Sequence, residues 1–192
     1  MQDCVELARV AAQEAGATAL QWKSNTCDPF AAPEHLSVRK AFARHLPSRQ
    51  EEEELSHEEF SHAIVRIEPH LGVPSLTLLY EYPISEAALA RRCAHDPSVS
   101  ERFELYACGV ELANGFGELT DPIEQRARLI EAMDEKERRY GQRWPIDEDF
   151  LAALAHMPPA SGVALGFDRL VMLATLPVIV VPSTGSERAS VR

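Results

Sequence analysis

Apolar side chains recur every three or four residues near both ends of this chain, the spacing of helices with one buried face. Asp3 is placed to cap a first helix carrying Leu7, Ala8, Ala11 and Ala12, which Gly16 stops. Ala17 to Lys23 predicts a short strand, and Asn25 to Pro33, with Asp28-Pro29, a loop. Ser37 opens a short helix whose Val38, Phe42 and Leu46 share a stripe. The acidic run Glu51 to Glu54 reads as a solvated linker or the approach to a helix. Ser56 and Glu59 spell a capping box, after which Phe60, Ile64, Ile67 and Leu71 follow at helical spacing until Gly72.

The middle of the chain changes period. Leu76 to Tyr82 is apolar and aromatic enough for a buried strand, and Ser85 can start a small helix through Ala90. Arg102 to Asp121 reads as two strands joined by a tight Cys108-Gly109 turn. Asp121 then caps the longest helix, with Pro122 at its first position, Glu124 completing the cap, and Ile123, Ala127 and Ile130 on one stripe. Asp149 to His156 is a further helix; Ser161 to Gly166 is a strand running into a helix from Phe167 to about Ala174. Residues 1–175 therefore read as one α/β (α+β) domain, and 176–192 as a divergent, flexible tail.

Regular pairing about the turn sets Tyr106 opposite Glu111 and Glu104 opposite Ala113. Glu104 and Glu111 are then diagonal neighbours roughly 7–8 Å apart on one face, while Leu105 and Leu112 face a core. Like charges placed together repel unless a cation sits between them, which points to a metal or ammonium site, with Glu118 a third carboxylate. A solvated hairpin face with scattered Glu is the alternative. In the second informative stretch, Ser161 to Leu170, small residues permit close backbone approach, and Arg169 in the first helical turn could meet phosphates or an adenine ring. A strand–helix corner with Asp168 and Arg169 as a surface pair explains the same residues.

Composition narrows the partners. The 19 Lys and Arg against 30 Asp and Glu leave a net charge of −11, which argues against broad nucleic-acid binding and hence against tRNA as a partner. Four scattered cysteines without a C-x-x-C pair fit reduced cytosolic thiols, and no apolar run approaches the ~20 residues of a membrane span. A cytoplasmic protein follows as the expectation.

The wording FEL, seven residues from Glu104 to Glu111, then NGF-x-EL-x-D, resembles the catalytic hairpin of class II lysyl-tRNA synthetases. ELANGF, with Ala113 in place of a usual Gly, is more similar to their truncated paralogues, the elongation factor P–lysine lysyltransferases. Gly162 to Arg169 resembles the third signature motif of class II synthetases, with Ala164 replacing its middle Gly. Tyr80 to Ala90 resembles the family's strand and loop before the hairpin.

The resemblance implies a mostly antiparallel sheet holding Leu76–Tyr82, Arg102–Ala107, Val110–Asn114 and Ser161–Gly166, flanked by helices. It implies an ATP-dependent ligase that activates lysine or β-lysine as an adenylate for transfer to elongation factor P. Glu104 and Glu111 would hold ATP through Mg²⁺, and Arg169 would contact ATP, making Glu111 and Arg169 the catalytic pair. Gly162 and Gly166 would make room for adenosine and substrate. Glu118 would meet the ε-ammonium of the substrate and Asn114 its backbone, with Ala113 and Gly115 shaping that pocket. Strict alternation puts Asn114 on the wrong face, so the backbone must distort near Gly115.

Two signature motifs of the family are absent: the first, which forms its dimer interface, and the second, which carries an α-phosphate-binding Arg. The chain thus reads as the C-terminal part of a catalytic domain. Two alternatives stand beside the ligase: a non-catalytic module retaining half of an ATP and lysine pocket, and a lysine-tRNA ligase fragment. Missing strands would leave an open sheet edge and favour self-association, as a homodimer or larger.

Overall fold

The computed structural model describes residues 1–47 and 55–175. The acidic run Glu51–Glu54 and the tail 176–192 lie outside the described residues. Helix α1 (Gln2–Glu14) leads into a hairpin of β1 (Leu20–Trp22) and β2 (Asn25–Cys27). A five-stranded sheet follows in the order β3 (Glu34–Ser37), β4 (Thr77–Pro83), β5 (Val99–Ala107), β6 (Val110–Gly117), β7 (Ser161–Leu165). Only β3–β4 is parallel; the other three pairings are antiparallel. The other helices are α2 (Val38–His45), α3 (His57–Ile67), α4 (Pro122–Tyr140), α5 (Glu148–Leu154) and α6 (Phe167–Thr175). All four expected sheet segments are strands, and β3 is an additional one.

The sheet is packed on both faces. Leu78, Phe103, Leu105, Leu112 and Ala113 meet α1 (Cys4, Val5, Ala8, Ala12) and α6 (Leu170, Leu173, Ala174). Leu79, Tyr82 and Tyr106 face the other way, against α2 and α3 through Val38, Ala41, Phe60, Ala63 and Ile67. Burying each Val, Leu, Ile or Phe side chain among them contributes about 1.5–3 kcal/mol, so the two clusters clamp the sheet. Leu71 and Gly72 lead from α3 into β4, and Gly72 is needed there. Its φ is +71°, and an added Cβ would lie 2.6 Å from the backbone nitrogen of Ala107.

Local signals behaved unevenly. Ser56 and Glu59 form the reciprocal capping box, and Ser37 and Asp121 cap α2 and α4. Asp3 does not cap α1 but sits in its first turn, and Leu7 points to solvent. Glu124 does not complete the α4 cap: its carboxylate accepts from Arg92 and Arg128, two nearby guanidinium groups. The Ile123–Ala127–Ile130 stripe faces water, with Ile123 81% exposed, because α4 packs through Gln125 and Arg128. Those side chains donate to the carbonyls of Ala88 and Ala87, so α4 is tied down by polar contacts. Asn25–Cys27, expected as loop, pairs with β1, and Ser85–Ala90 yields one 3-10 turn, Ile84–Glu86.

Candidate active site

The site lies on the face of β5, β6 and β7 beyond the helices α2 and α3. Its geometry depends on irregularities in two strands: β4 shifts register between Tyr80 and Tyr82, which brings Tyr82 to the Glu104 side, and the β5–β6 pairing shifts beside Tyr106. Tyr106 pairs with Glu111 as expected, but Leu105 pairs with Ala113 and Glu104 with Asn114. Leu112 is thus an extra residue in β6, a β-bulge that changes which side chains share a face. The expected Glu104–Ala113 pair does not form. The distortion that the Asn114 assignment required sits at Leu112 rather than near Gly115, and it turns Asn114 to the Glu104 side.

The corner between β7 and α6 holds this bulge. The Gly166 N–H donates to the Leu112 carbonyl at 2.8 Å, and Arg169 Nη1 donates to the Glu111 carbonyl at 2.9 Å. Arg169 also reaches Glu111 Oε2 at 3.4 Å, with more than half of its side chain exposed. Gly166 and Arg169, two of the residues that carry the third-motif resemblance, therefore brace the hairpin that carries Glu111 and Asn114.

Glu104 is the most constrained carboxylate of the site. The hydroxyls of Tyr82 and Tyr106 donate to its Oε2 at 2.5 and 2.6 Å, and Arg102 Nη2 donates to its Oε1 at 2.8 Å. Its side chain is only 8% exposed. Burial, and then the charge of Glu104, push both tyrosine hydroxyls well above their ordinary range, so they remain donors. Arg102 also donates to the Glu86 carbonyl at 2.6 Å, approaches Asn114 Oδ1 at 3.4 Å, and lies 4.3 Å from the centre of the Tyr82 ring. Glu68, after α3, accepts from the Tyr106 hydroxyl at 3.4 Å.

Burial, and next the charge of Glu104, raise the carboxyls of Glu111 and Glu68. The charge of Glu104 thus acts on both neighbouring carboxyls, second to burial. A cation would offset that charge, and Glu111, a third exposed, is the carboxylate positioned to offer oxygen to one. Glu104 already uses both oxygens on protein donors. Among the described residues no three His, Cys, Asp or Glu gather closely enough to hold a metal ion. The donor chemistry fits Mg²⁺ at Glu111, with the remaining ligands left to phosphate and water, as is usual for this ion.

The third carboxylate stands apart. Glu118 follows β6 seven residues beyond Glu111, roughly 20 Å along an extended strand, so the three do not converge on one point. Its carboxylate lies over β7, and a Cβ on Gly162 would sit 2.7 Å from Glu118 Oε1. Gly162 clears space for that side chain. Gly115 has a different duty, since a Cβ there would strike the Phe103 ring at 2.7 Å. Ala113 is 2% exposed in the α1–α6 core, so alternation removes it from the face that holds Asn114. Arg102, Tyr82, Tyr106 and Glu68 were not singled out from sequence. The first and third were within reach, because residues two before and two after Glu104 share its face.

Residues 17–177 match the model of the family described as class II tRNA synthetases (D, K and N). The chain is 52% identical over 109 residues to the elongation factor P–(R)-β-lysine ligase of Proteus mirabilis, a match covering 56% of this chain and 34% of that protein. It is 51% identical over 109 residues to the same-named protein of Edwardsiella ictaluri, with the same coverage. A lysine–tRNA ligase of Dehalococcoides mccartyi is 47% identical over 111 residues, covering 57% of this chain and 22% of that protein. The matched region spans about a third or less of the length of these relatives. No helix among the described residues is long and apolar enough to cross a membrane.

Proposed function

Because this chain belongs to the class II tRNA synthetases (D, K and N), a family of ligases, we propose that it binds ATP and a lysine-like amino acid along the Glu111–Glu118 face. The reaction served would be formation of an aminoacyl-adenylate, with the acyl group passed to a lysine of elongation factor P. The supporting observation is the bulge at Leu112, which gathers Glu104, Glu111 and Asn114 on one face while Glu118 lies over Gly162 further along it.

The separation of the carboxylates suits two ligands joined in one reaction. Glu111 and Arg169 would take the nucleotide end, the exposed guanidinium meeting phosphate or adenine. Mg²⁺, when bound, would neutralise phosphate charge next to Glu111. Glu118 would pair with the substrate ε-ammonium, and Asn114, midway, would meet the backbone end of the substrate through a carbonyl or carboxylate oxygen. Glu104 acts in this reading through its protein partners. The elongation factor P acceptor rests on the names of the relatives; the net charge of −11 accords with a protein rather than tRNA acceptor.

A second reading has its own observation. Glu104 is already ion-paired with Arg102 and hydrogen-bonded by two phenols, so both of its oxygens are committed to protein donors and not offered to a metal. A binding module retaining half of the pocket would look the same. ATP–pyrophosphate exchange with lysine and with β-lysine separates the two. Exchange dependent on either amino acid supports the ligase, and its absence together with measurable ATP or lysine binding supports the module.

A further inference from the structure

Arg102 makes four contacts of different kinds on this face. Its Nη2 holds Glu104, Nη1 holds the Glu86 carbonyl, Nε approaches Asn114 Oδ1, and its plane lies on Tyr82. Its side chain is about four-fifths buried. The Glu86 carboxylate in turn pairs with His57 Nδ1 at 2.8 Å, fastening the loop after β4 to the start of α3. With Oδ1 facing the Arg102 Nε–H at 3.4 Å, the Asn114 NH₂ group is the part of the amide left to meet another acceptor.

We propose that Arg102 is a positioning residue of the amino-acid pocket, setting the Asn114 amide so that its NH₂ faces a substrate carbonyl or carboxylate oxygen, with Glu104 as the counter-charge that holds Arg102 still. This rests on the reading of the face as an amino-acid pocket. Glu104 satisfies and immobilises the guanidinium, Tyr82 and Tyr106 immobilise Glu104, and Asn114 inherits its orientation from all three. A lysine at position 102 would keep a charge for Glu104 but lose the planar fork that spans both partners.

The test uses the isotope-labelled whole chain and its R102K and R102M variants. Nuclear magnetic resonance follows the Asn114 side-chain amide and the Glu104 side-chain carboxyl carbon without any ligand, and calorimetry follows L-lysine binding. R102M should move both signals. R102K should restore the Glu104 carboxyl signal and leave the Asn114 amide displaced, a split that general loosening of the fold would not produce. Lysine affinity should fall about tenfold in both, the scale of one lost hydrogen bond to a charged group, while the Mg–ATP effect on the melting temperature is retained. An Asn114 amide unchanged in R102K overturns the proposal, and so do signals displaced equally throughout the protein. If R102M does not fold, R102K alone decides. If the wild-type chain binds neither lysine nor ATP, the functional reading fails, while the two ligand-free signals still judge Arg102.

Discussion

Glu104 and Asn114 stand opposite each other across the β5–β6 ladder because Leu112 has no partner in it. One extra residue reverses the facing of everything after it in β6, since side chains alternate with a period of two. Without the bulge, Asn114 would join Leu105 in the core, and the polar face would lose its middle member. The β7–α6 corner secures the arrangement from the other side through Gly166 and Arg169.

Charge substitutions should divide the face into two ends. Glu111→Gln is expected to abolish the Mg²⁺-dependent part of ATP stabilisation while leaving any lysine effect. Glu118→Gln should do the reverse. Thermal unfolding with ATP, Mg²⁺ and L-lysine, singly and together, reads both, because a ligand bound to the native state raises the midpoint by mass action. A wild-type midpoint unmoved by millimolar Mg–ATP would count against the nucleotide site.

Gly162→Ala should act on Glu118 at a distance in sequence of 44 residues. The added methyl would occupy space 2.7 Å from Glu118 Oε1, so the carboxylate has to move. Loss of the lysine effect with retention of the Mg–ATP effect is expected. Gly72→Ala, by contrast, strains a φ of +71° against Ala107 and should cost more than about 1 kcal/mol in urea unfolding with no ligand-specific signature.

Removing a phenol beneath Glu104 leaves a buried carboxylate short of a donor. Tyr106→Phe is expected to destabilise the fold by about 1–3 kcal/mol, measured by the urea midpoint at constant slope. Equal stability of the variant and wild type would mean that Glu104 is held by Arg102 and Tyr82 alone.

Glu111 supplies a pH dependence with a definite sign. Its carboxyl is raised in the folded state above the ordinary 4.5, by burial and then by Glu104. A raised folded-state value favours the protonated form, so this group's contribution is present below pH 4.5 and is lost as pH rises through the folded value. Glu111→Gln should therefore gain stability relative to wild type at neutral pH, with the difference vanishing below about pH 4. Urea titrations across that range would show a constant difference if Glu111 titrates normally.

The outer edge of β7 should drive association. Val163 is 50% exposed on this strand, which among the described residues pairs with β6 on one side only, and strand edges without a partner template further pairing. Sedimentation velocity is expected to show a concentration-dependent shift to larger species, and Val163→Lys should reduce it. A monomer unchanged over a hundredfold concentration range would exclude this edge as an interface.

Elements with a strong local cause were legible from the residues alone. Ser56 and Glu59 specify a helix start through their own hydrogen bonds, and the apolar run into Tyr82 and the Cys108-Gly109 turn specify strands whatever surrounds them. Glu104, Glu111, Glu118, Asn114 and Arg169 were selected as candidates by spelling and order. Their mutual geometry was not legible, because the bulge at Leu112 is held by donors from Gly166 and Arg169, more than 50 residues further on. Ala113 went to the core and Glu104 into a cage of Tyr82, Tyr106 and Arg102 for the same reason: facing is set by register, and register is set by partners distant in sequence. The Ile123 stripe of α4 faces water because α4 packs through Gln125 and Arg128, whose acceptors lie on the loop after β4. Periodicity declares which side of an element could be buried; only the tertiary structure decides which side meets a partner.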